Sequence, residues 1–339
     1  MTRRPATPGR ALLLGLGWCL LAAPAGAGAQ TLEFEEIALV PGPADLIEAG
    51  AGRAYVAADR TLTVYDLSDP SAPRRGGSYT FPEKIWGFVV RDELVYVAAD
   101  FFGLGIVDVS DPETPRLLGS VKTPGQVKDV DVSGDRAVLA DHMSGVDLVD
   151  ISNLREPLAL GSVYLDGYSR DVATAGPLAY AVDDPSGFYV LDLADTDSWE
   201  PSIALQSADG PRMVEVTDTP TGGLAVLLGH GALQVYDLSS PTEPVHRANY
   251  ATPGGALRVA LDGPLAYVAD GLQGMLVVDL TAPVAPRAAG AHQPAQPVRD
   301  VAVSGDLVVL AVGPLPTGIR RSVGGGEVLV LRRRATPSP

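Results

Sequence analysis

A chain of 339 residues with 46% hydrophobic and 19% charged side chains is globular, and long enough for one large all-β domain or two ordinary ones. Its 41 acidic against 25 basic residues give a net charge of −16; the first 29 residues hold Arg3, Arg4 and Arg10 and no acid, so the remainder carries −19. Such a surface repels nucleic acid and anionic membrane, which argues against both as general partners.

Taken in chain order, residues 1–29 read as a signal peptide. Arg3, Arg4 and Arg10 form a basic start, Ala11–Ala23 is an apolar stretch too short to span a membrane, and Ala27-Gly28-Ala29 offers a small-x-small cleavage site before Gln30. Export to the periplasm or the exterior is the expectation. The only cysteine, Cys19, lies inside this segment, so the mature chain is expected to have no disulfide and no thiolate metal site. No second apolar span follows, so no membrane insertion is expected after cleavage.

The remainder is organised by a repeat. Gly103–Pro115 reads GLGIVDVSDPETP: an apolar strand, an Asp, then Ser-Asp-Pro-x-x-Pro. Variants recur at Leu62–Pro73, Gly145–Pro157, Gly231–Pro244 and Gly274–Pro286, with a worn copy at Gly187–Pro201. The strand-borne acid falls at Asp66, Asp108, Asp150, Asp192, Asp237 and Asp279, at successive spacings of 42, 42, 42, 45 and 42. The longer step is accounted for by the turn Asp218–Gly223. A fixed period of this size marks a repeat architecture.

Each unit reads as four strands. A short first strand (Asp129–Val132, Asp171–Thr174, Asp300–Val303) is followed by a tight Gly turn and a second strand such as Ala54–Ala57 or Val95–Ala98. The Asp-bearing strand is third, and a more polar fourth strand such as Leu117–Lys122 follows the Pro turn. First strands near Asp45, Gly87, Asp129, Asp171, Met213, Arg258 and Asp300 give seven copies. The middle strands are apolar on both faces, which suits sheets packed between neighbouring sheets. The reading is all-β: a single seven-bladed β-propeller over residues 30–334, with a disordered tail at 335–339. The spacing of Leu118-Gly119-Ser120-Val121 predicts a bulge at the glycine. The last unit lacks a fourth strand, ending at Glu327–Leu331, and Leu32–Val40 is expected to supply it with Leu32, Phe34, Ile37 and Leu39 buried.

These residues, GLGIVDVSDP..P with YVAD upstream and LGSV downstream, resemble the LVIVD repeat family of bacterial exported proteins, from Asp45 to about Leu331. The resemblance implies a propeller with no assigned enzymatic activity. Many members carry a C-terminal surface anchor, which this sequence does not show.

Candidate chemistry is sparse. The six anchoring residues Asp66, Asp108, Asp150, Asp192, Asp237 and Asp279 read as structural, buried acceptors for turn amides, because one Asp per blade cannot converge on one substrate. Asp59, Asp100, Asp141, Asp183 and Asp270 at second-strand ends read first as turn formers; calcium binding is the alternative, and no Asp-x-Asp-x-Asp ladder supports it. Charged residues at first-strand starts, among them Asp45, Lys128, Asp129, Arg170, Asp171, Arg212, Arg258, Arg299 and Asp300, read as inter-blade ion pairs and loop caps at the channel mouth. His142 and His230 form no ligand pair, so no metal and no cofactor are expected.

Departures from the repeat carry the ligand expectation. Trp86, Phe101, Phe102, Tyr168 and Phe188 fall in loops where other units are polar; they would either bind a peptide or sugar or pack between blades. Trp86, Phe101 and Phe102 are expected as an apolar floor, Lys128, Arg170 and Arg212 as donors, and Arg320 and Arg321 as a rim that holds an acidic partner. The function expected is a secreted, non-catalytic, monomeric scaffold for a protein or glycan of the envelope or exterior; the alternative is a metal-assisted hydrolase or lyase at the channel mouth.

Overall fold

Val, Leu, Ile and Tyr in short runs, broken by Gly, Pro, Asp and Ser, favour short strands joined by tight turns. The computed structural model of the chain describes residues 31–165, 167–185, 187–194, 201, 203–205, 210–219, 222–229, 231–315 and 325–335, and these form β-strands without a helix. The predicted signal peptide lies outside the described residues. After an N-terminal strand, Leu32–Pro41, the strands come as consecutive antiparallel fours. Five fours are separate sheets, with first strands starting at Leu46, Gly87, Asp129, Tyr168 and Met213. The four strands between Arg258 and His292 share an eight-stranded sheet with the last three, Val298–Ser304, Leu307–Val312 and Glu327–Ala335, and with the N-terminal strand.

First strands pack each against the next, and Val298–Ser304 packs back onto Leu46–Gly50, so the series closes around a central channel. Second and third strands are buried on both sides: every residue of Ala54–Ala57 and Leu62–Tyr65 is covered. Their side chains form apolar layers between neighbouring sheets, such as Val64, Val95 and Val107 between the first two units. Fourth strands lie outermost and are more exposed.

The N-terminal strand pairs antiparallel with the last strand from Leu32↔Ala335 to Pro41↔Glu327 and touches the sixth unit through one parallel pair, Leu32↔Gly290. Two details differ from the sequence expectation. Leu39 is 53% exposed, because a bulge between Glu36 and Ala38 shifts the alternation so that Ile37, Ala38 and Val40 turn inward instead. The last strand also runs past Leu331, since Arg332, Arg333 and Arg334 pair with Glu35, Phe34 and Glu33. Arg333 binds Asp262 at 2.7 Å and Arg334 binds Glu35, so the basic end is held by acids of its neighbours.

The fourth-strand glycines serve two geometric needs. The ladder slips beside them, between Ile106 and Val107 opposite Leu117 and Gly119, and between Leu148 and Val149 opposite Ala159 and Gly161. Gly77 and Gly119 also admit the next unit's Pro-rich turn. Gly77 donates its N–H to the Pro112 carbonyl at 2.8 Å, and a Cβ on Gly119 would strike the Leu154 carbonyl. At the end of the series the approach to Gly290 is made by Leu32, so the N-terminal strand occupies the place that a turn fills elsewhere.

Candidate functional site: the channel and the top face

The six strand-borne aspartates sit at the outer ends of the third strands. Asp108 accepts the Ser110 amide at 2.9 Å and the Arg116 guanidinium at 2.8 Å; Asp150, Asp192, Asp237 and Asp279 each accept the amide two residues on at 2.8 Å, as does Asp66. They receive turn amides as expected of them, but they are half-exposed at the rim, and Asp192 is exposed, so they are not buried. The hydroxyl and amide of Ser110, then Arg116, hold Asp108 down at about 2. Asp108→Ala should therefore lower the melting temperature by a few degrees, about 1 kcal/mol for a lost turn bond, without touching the channel. A melting temperature unchanged in a thermal scan would contradict this role.

The channel encloses about 220 Å³ and is lined by every first strand. The pairing partners on the second strands show that Asp129, Asp171, Arg258 and Asp300 occupy the same level. Glu48, Asp131 and Glu215 occupy the level two residues further along. With Arg91, this makes six carboxylates and two guanidiniums in one enclosed space.

Neighbouring first strands share no ladder with one another, so side chains must tie them together. Asp129 accepts the Val172 amide at 3.2 Å, Asp131 the Thr174 amide at 2.8 Å and Asp171 the Val214 amide at 3.2 Å, each from the following unit. Asp300 accepts the Ile47 amide at 2.9 Å and so fastens the last unit to the first. Asp129, Asp171 and Asp300 were expected in inter-blade ion pairs; of the four acids, Asp131 and Asp171 do meet an arginine of another unit, and all four also bind the next strand's backbone. Arg258 reaches across from the sixth unit to Asp171, at 3.6 Å, and to the Trp86 carbonyl, at 3.4 Å. Arg91 binds Asp131 at 2.7 Å.

Two cations cannot neutralise six acids gathered in one channel. Burial, then the charge of Asp300, pushes Glu48 up to about 8. Burial raises Asp171 to about 7 and Asp300 to about 6, with Arg258 opposing in both cases. Asp129 and Glu215 are raised by burial and by the charge of Asp171. Glu48, Asp131 and Glu215 were missed in the sequence; the signal was an acid alternating with apolar residues, as in Asp129–Val132 for Asp131 and Val214-Glu215-Val216 for Glu215, which marks a strand with one wet face.

At the channel mouth, taken as the side of the fourth-to-first loops, Trp86 lies between two lysines. Lys84 Nζ stands 4.3 Å and Lys128 Nζ 4.1 Å from its ring centroid, and Lys128 also approaches Asp100 at 3.7 Å. Phe101 is 54% exposed. Phe102 is half-buried, edge-on to Phe81 at 5.5 Å. Both Phe line a shallow groove of about 340 Å³ with Pro82, Glu83, Ser120 and Lys122, and Trp86 is not part of its wall. The expected single apolar floor is thus a groove and a separate mouth cluster. Lys84, Lys122 and Lys128 are the only lysines of the chain, a grouping that the sequence shows directly.

The other expected residues are dispersed. Arg170 binds Asp184 at 3.1 Å, Arg212 is exposed, and Arg299 binds Asp45 at 2.8 Å and the Ala44 carbonyl at 3.0 Å. Tyr168 stacks on His142 at 4.9 Å, whereas Phe188 is a fully buried third-strand residue, not a loop residue. Arg320, Arg321 and His230 lie outside the described residues. Among the described residues no three His, Cys, Asp or Glu side chains form a metal-ligand set.

The family model of the LVIVD repeat matches residues 41–80, 85–123, 124–164 and 253–292. The chain carries LVIVD repeats. They are a β-propeller repeat type, in keeping with the closed series of four-stranded units. The LVIVD matches leave residues 165–252 uncovered, the part that contains the worn copy at Gly187–Pro201. Among curated proteins none matches the sequence. Two solved structures share the fold. The crystal structure of BamB from Moraxella catarrhalis is 10% identical, with a TM-score of 0.61 over 88% of this chain and 100% of that one. The computationally designed Ika8 protein is 12% identical, with a TM-score of 0.60 over 90% of this chain and 100% of that one.

Proposed function

We propose that this chain is an exported, envelope-associated, non-catalytic scaffold that recognises an acidic protein segment or anionic glycan through the mouth face of its second and third units. We read the eight-stranded sheet as two blades joined by the single pair Leu32↔Gly290, which gives a seven-bladed propeller. Export rests on the leader reading of residues 1–29 and on the resemblance to exported LVIVD proteins. The observation that carries the binding reading is the gathering of all three lysines around Trp86 and the Phe101–Phe102 groove, in a chain whose net charge is −16. Aromatic faces beside fixed cations bind acidic and apolar groups together, and they stand out where the rest of the surface repels acids. The non-catalytic reading is supported by the channel acids, which are engaged in holding units together.

A pull-down from envelope extract with the mature chain as bait supplies the partner. Phe101→Ala with Lys122→Ala changes two exposed groove residues, so the melting temperature should stay within a few degrees of the parent. Affinity should fall at least tenfold, about 1.4 kcal/mol. The loss should shrink at high salt, where the charge contribution is screened. Normal binding by this double variant would place recognition elsewhere.

A further inference from the structure

The third unit buries a carboxylate where the repeat has none. Asp147 stands opposite Leu139 on its second strand; at the same place the sixth unit has Leu276 opposite Val268, and the second has Gly105 opposite Val97. Val146 and Leu148 pack toward the fourth unit, so Asp147 between them faces the second, on the side of Leu139 and Val149. There it meets Asp141 from the end of the second strand, with Thr123, on the connection from the second unit, beside Asp141. Exposure is 2% for Asp147, 0% for Asp141 and 5% for Thr123.

Asp141 Oδ2 accepts the Gly125 amide at 2.7 Å, as Asp270 Oδ2 accepts the Gly254 amide at 2.8 Å in the sixth unit. The remaining oxygens have no such use. Asp141 Oδ1, both carboxylate oxygens of Asp147 and the Thr123 hydroxyl are buried without a hydrogen bond of ordinary geometry, although the Ser162 side chain on the fourth strand lies beside Asp147. In the sixth unit Thr252 Oγ1 accepts the Ala256 amide at 3.4 Å, and Leu276 replaces the second acid. The fold therefore builds this junction without Asp147. Two buried carboxylates side by side persist only with a proton or a cation between them.

We propose that Asp141, Asp147 and Thr123 hold a calcium ion at the junction of the second and third units. The donors are all hard oxygens with no nitrogen or sulfur, which suits calcium or magnesium and disfavours zinc. Two carboxylates and a hydroxyl set by strand geometry form an irregular site, which calcium accepts and the stricter octahedral demand of magnesium does not. The ion's charge would match the two carboxylates, while Lys128, the nearby cation, is engaged with Asp100 and Trp86. Such an ion would tie the connection leaving the second unit to two strands of the third. It would be structural and sealed from substrate.

The test is calcium binding by the full purified chain, stripped with chelator and dialysed free of metal at pH 7.5. Equilibrium dialysis should find one calcium per chain, and added calcium should raise the melting temperature by several degrees. Asp147→Leu, which installs the sixth unit's residue, and Asp147→Asn should each weaken binding at least tenfold and abolish the thermal shift. Asp270→Asn should leave both unchanged. Absence of bound calcium in the parent, or unchanged binding in Asp147→Asn, overturns the proposal in favour of a shared proton. Loss of binding in Glu48→Gln with Glu215→Gln, but not in Asp147→Asn, would move the ion to the channel and also overturn it.

Discussion

Deleting residues 30–40 should abolish cooperative folding. Those residues contain almost the whole N-terminal strand, which supplies the outer edge of the last unit through its ladder to Glu327–Ala335 and also abuts Gly290 of the sixth. Its inward side chains join two apolar layers: Leu32 and Phe34 with Tyr267, Met275 and Leu331, and Ile37, Ala38 and Val40 with Val328 and Val330. Phe34 meets the Tyr267 ring edge-on at 6.5 Å. Full burial of one such side chain is worth about 1.5–3 kcal/mol; these are half-buried, so about half of that each is a fair measure. Four of them with the lost backbone bonds approach the whole stability of an ordinary domain, about 5–15 kcal/mol. The deletion would also bare the last strand as a long edge open to pairing between molecules. A milder variant separates closure from simple truncation: Phe34→Ala should fold and melt several degrees lower, with Leu39→Ala, at an exposed position, near the parent. A deletion variant with a sharp transition at the parent's melting temperature would refute closure by this strand.

What the sequence disclosed depends on how local each feature is. The Asp66-to-Ser68 contact and its five counterparts lie within three residues, so the repeat displays them in six of its seven copies. The strand that completes the last unit was legible because a missing fourth strand is a countable defect. Leu39 was misplaced because one bulged residue reverses a two-residue alternation, and no residue type marks that bulge. The channel tie Asp131 to Thr174 was hidden, since it joins residues 43 apart in separate sheets and needs the ring before its partner exists. Phe188 misled for the opposite reason: next to a glycine turn it resembled a loop aromatic, while the strand carries it inward against Tyr180 and Tyr236. The Asp141–Asp147 meeting likewise required the third strand's face to be known.

The melting temperature should be higher near pH 5 than at pH 8, against the usual expectation for an acidic protein with many ion pairs. The channel carboxyls determine the direction. In the unfolded chain they release protons near pH 4, whereas in the fold Glu48 is raised to about 8, Asp171 to about 7 and Asp300 to about 6. Between pH 4 and 8 the native state therefore holds more protons than the unfolded state, so stability falls as pH rises through that window. Each unit of upward shift corresponds to about 1.4 kcal/mol; because these groups titrate as one cluster, a few kcal/mol in total is expected. For a chain of this size that is roughly 5–10 °C between pH 5 and 8. The rim acids act in the opposite sense at lower pH: Asp66, Asp108 and Asp237, held at about 2, stabilise the fold above pH 4 and lose that contribution as pH drops toward 2. Maximum stability should thus fall near pH 5. Glu48→Gln with Glu215→Gln removes two channel charges and accepts no next-unit amide bond loss, since the bonds to the following strands are made by Asp129, Asp131, Asp171 and Asp300. That double variant should melt higher than the parent at pH 8 and show a flatter pH profile, measured in excess chelator. A parent more stable at pH 8 than at pH 5 would mean that the channel acids are ionised and neutralised in the fold, and the protonated channel would have to be abandoned.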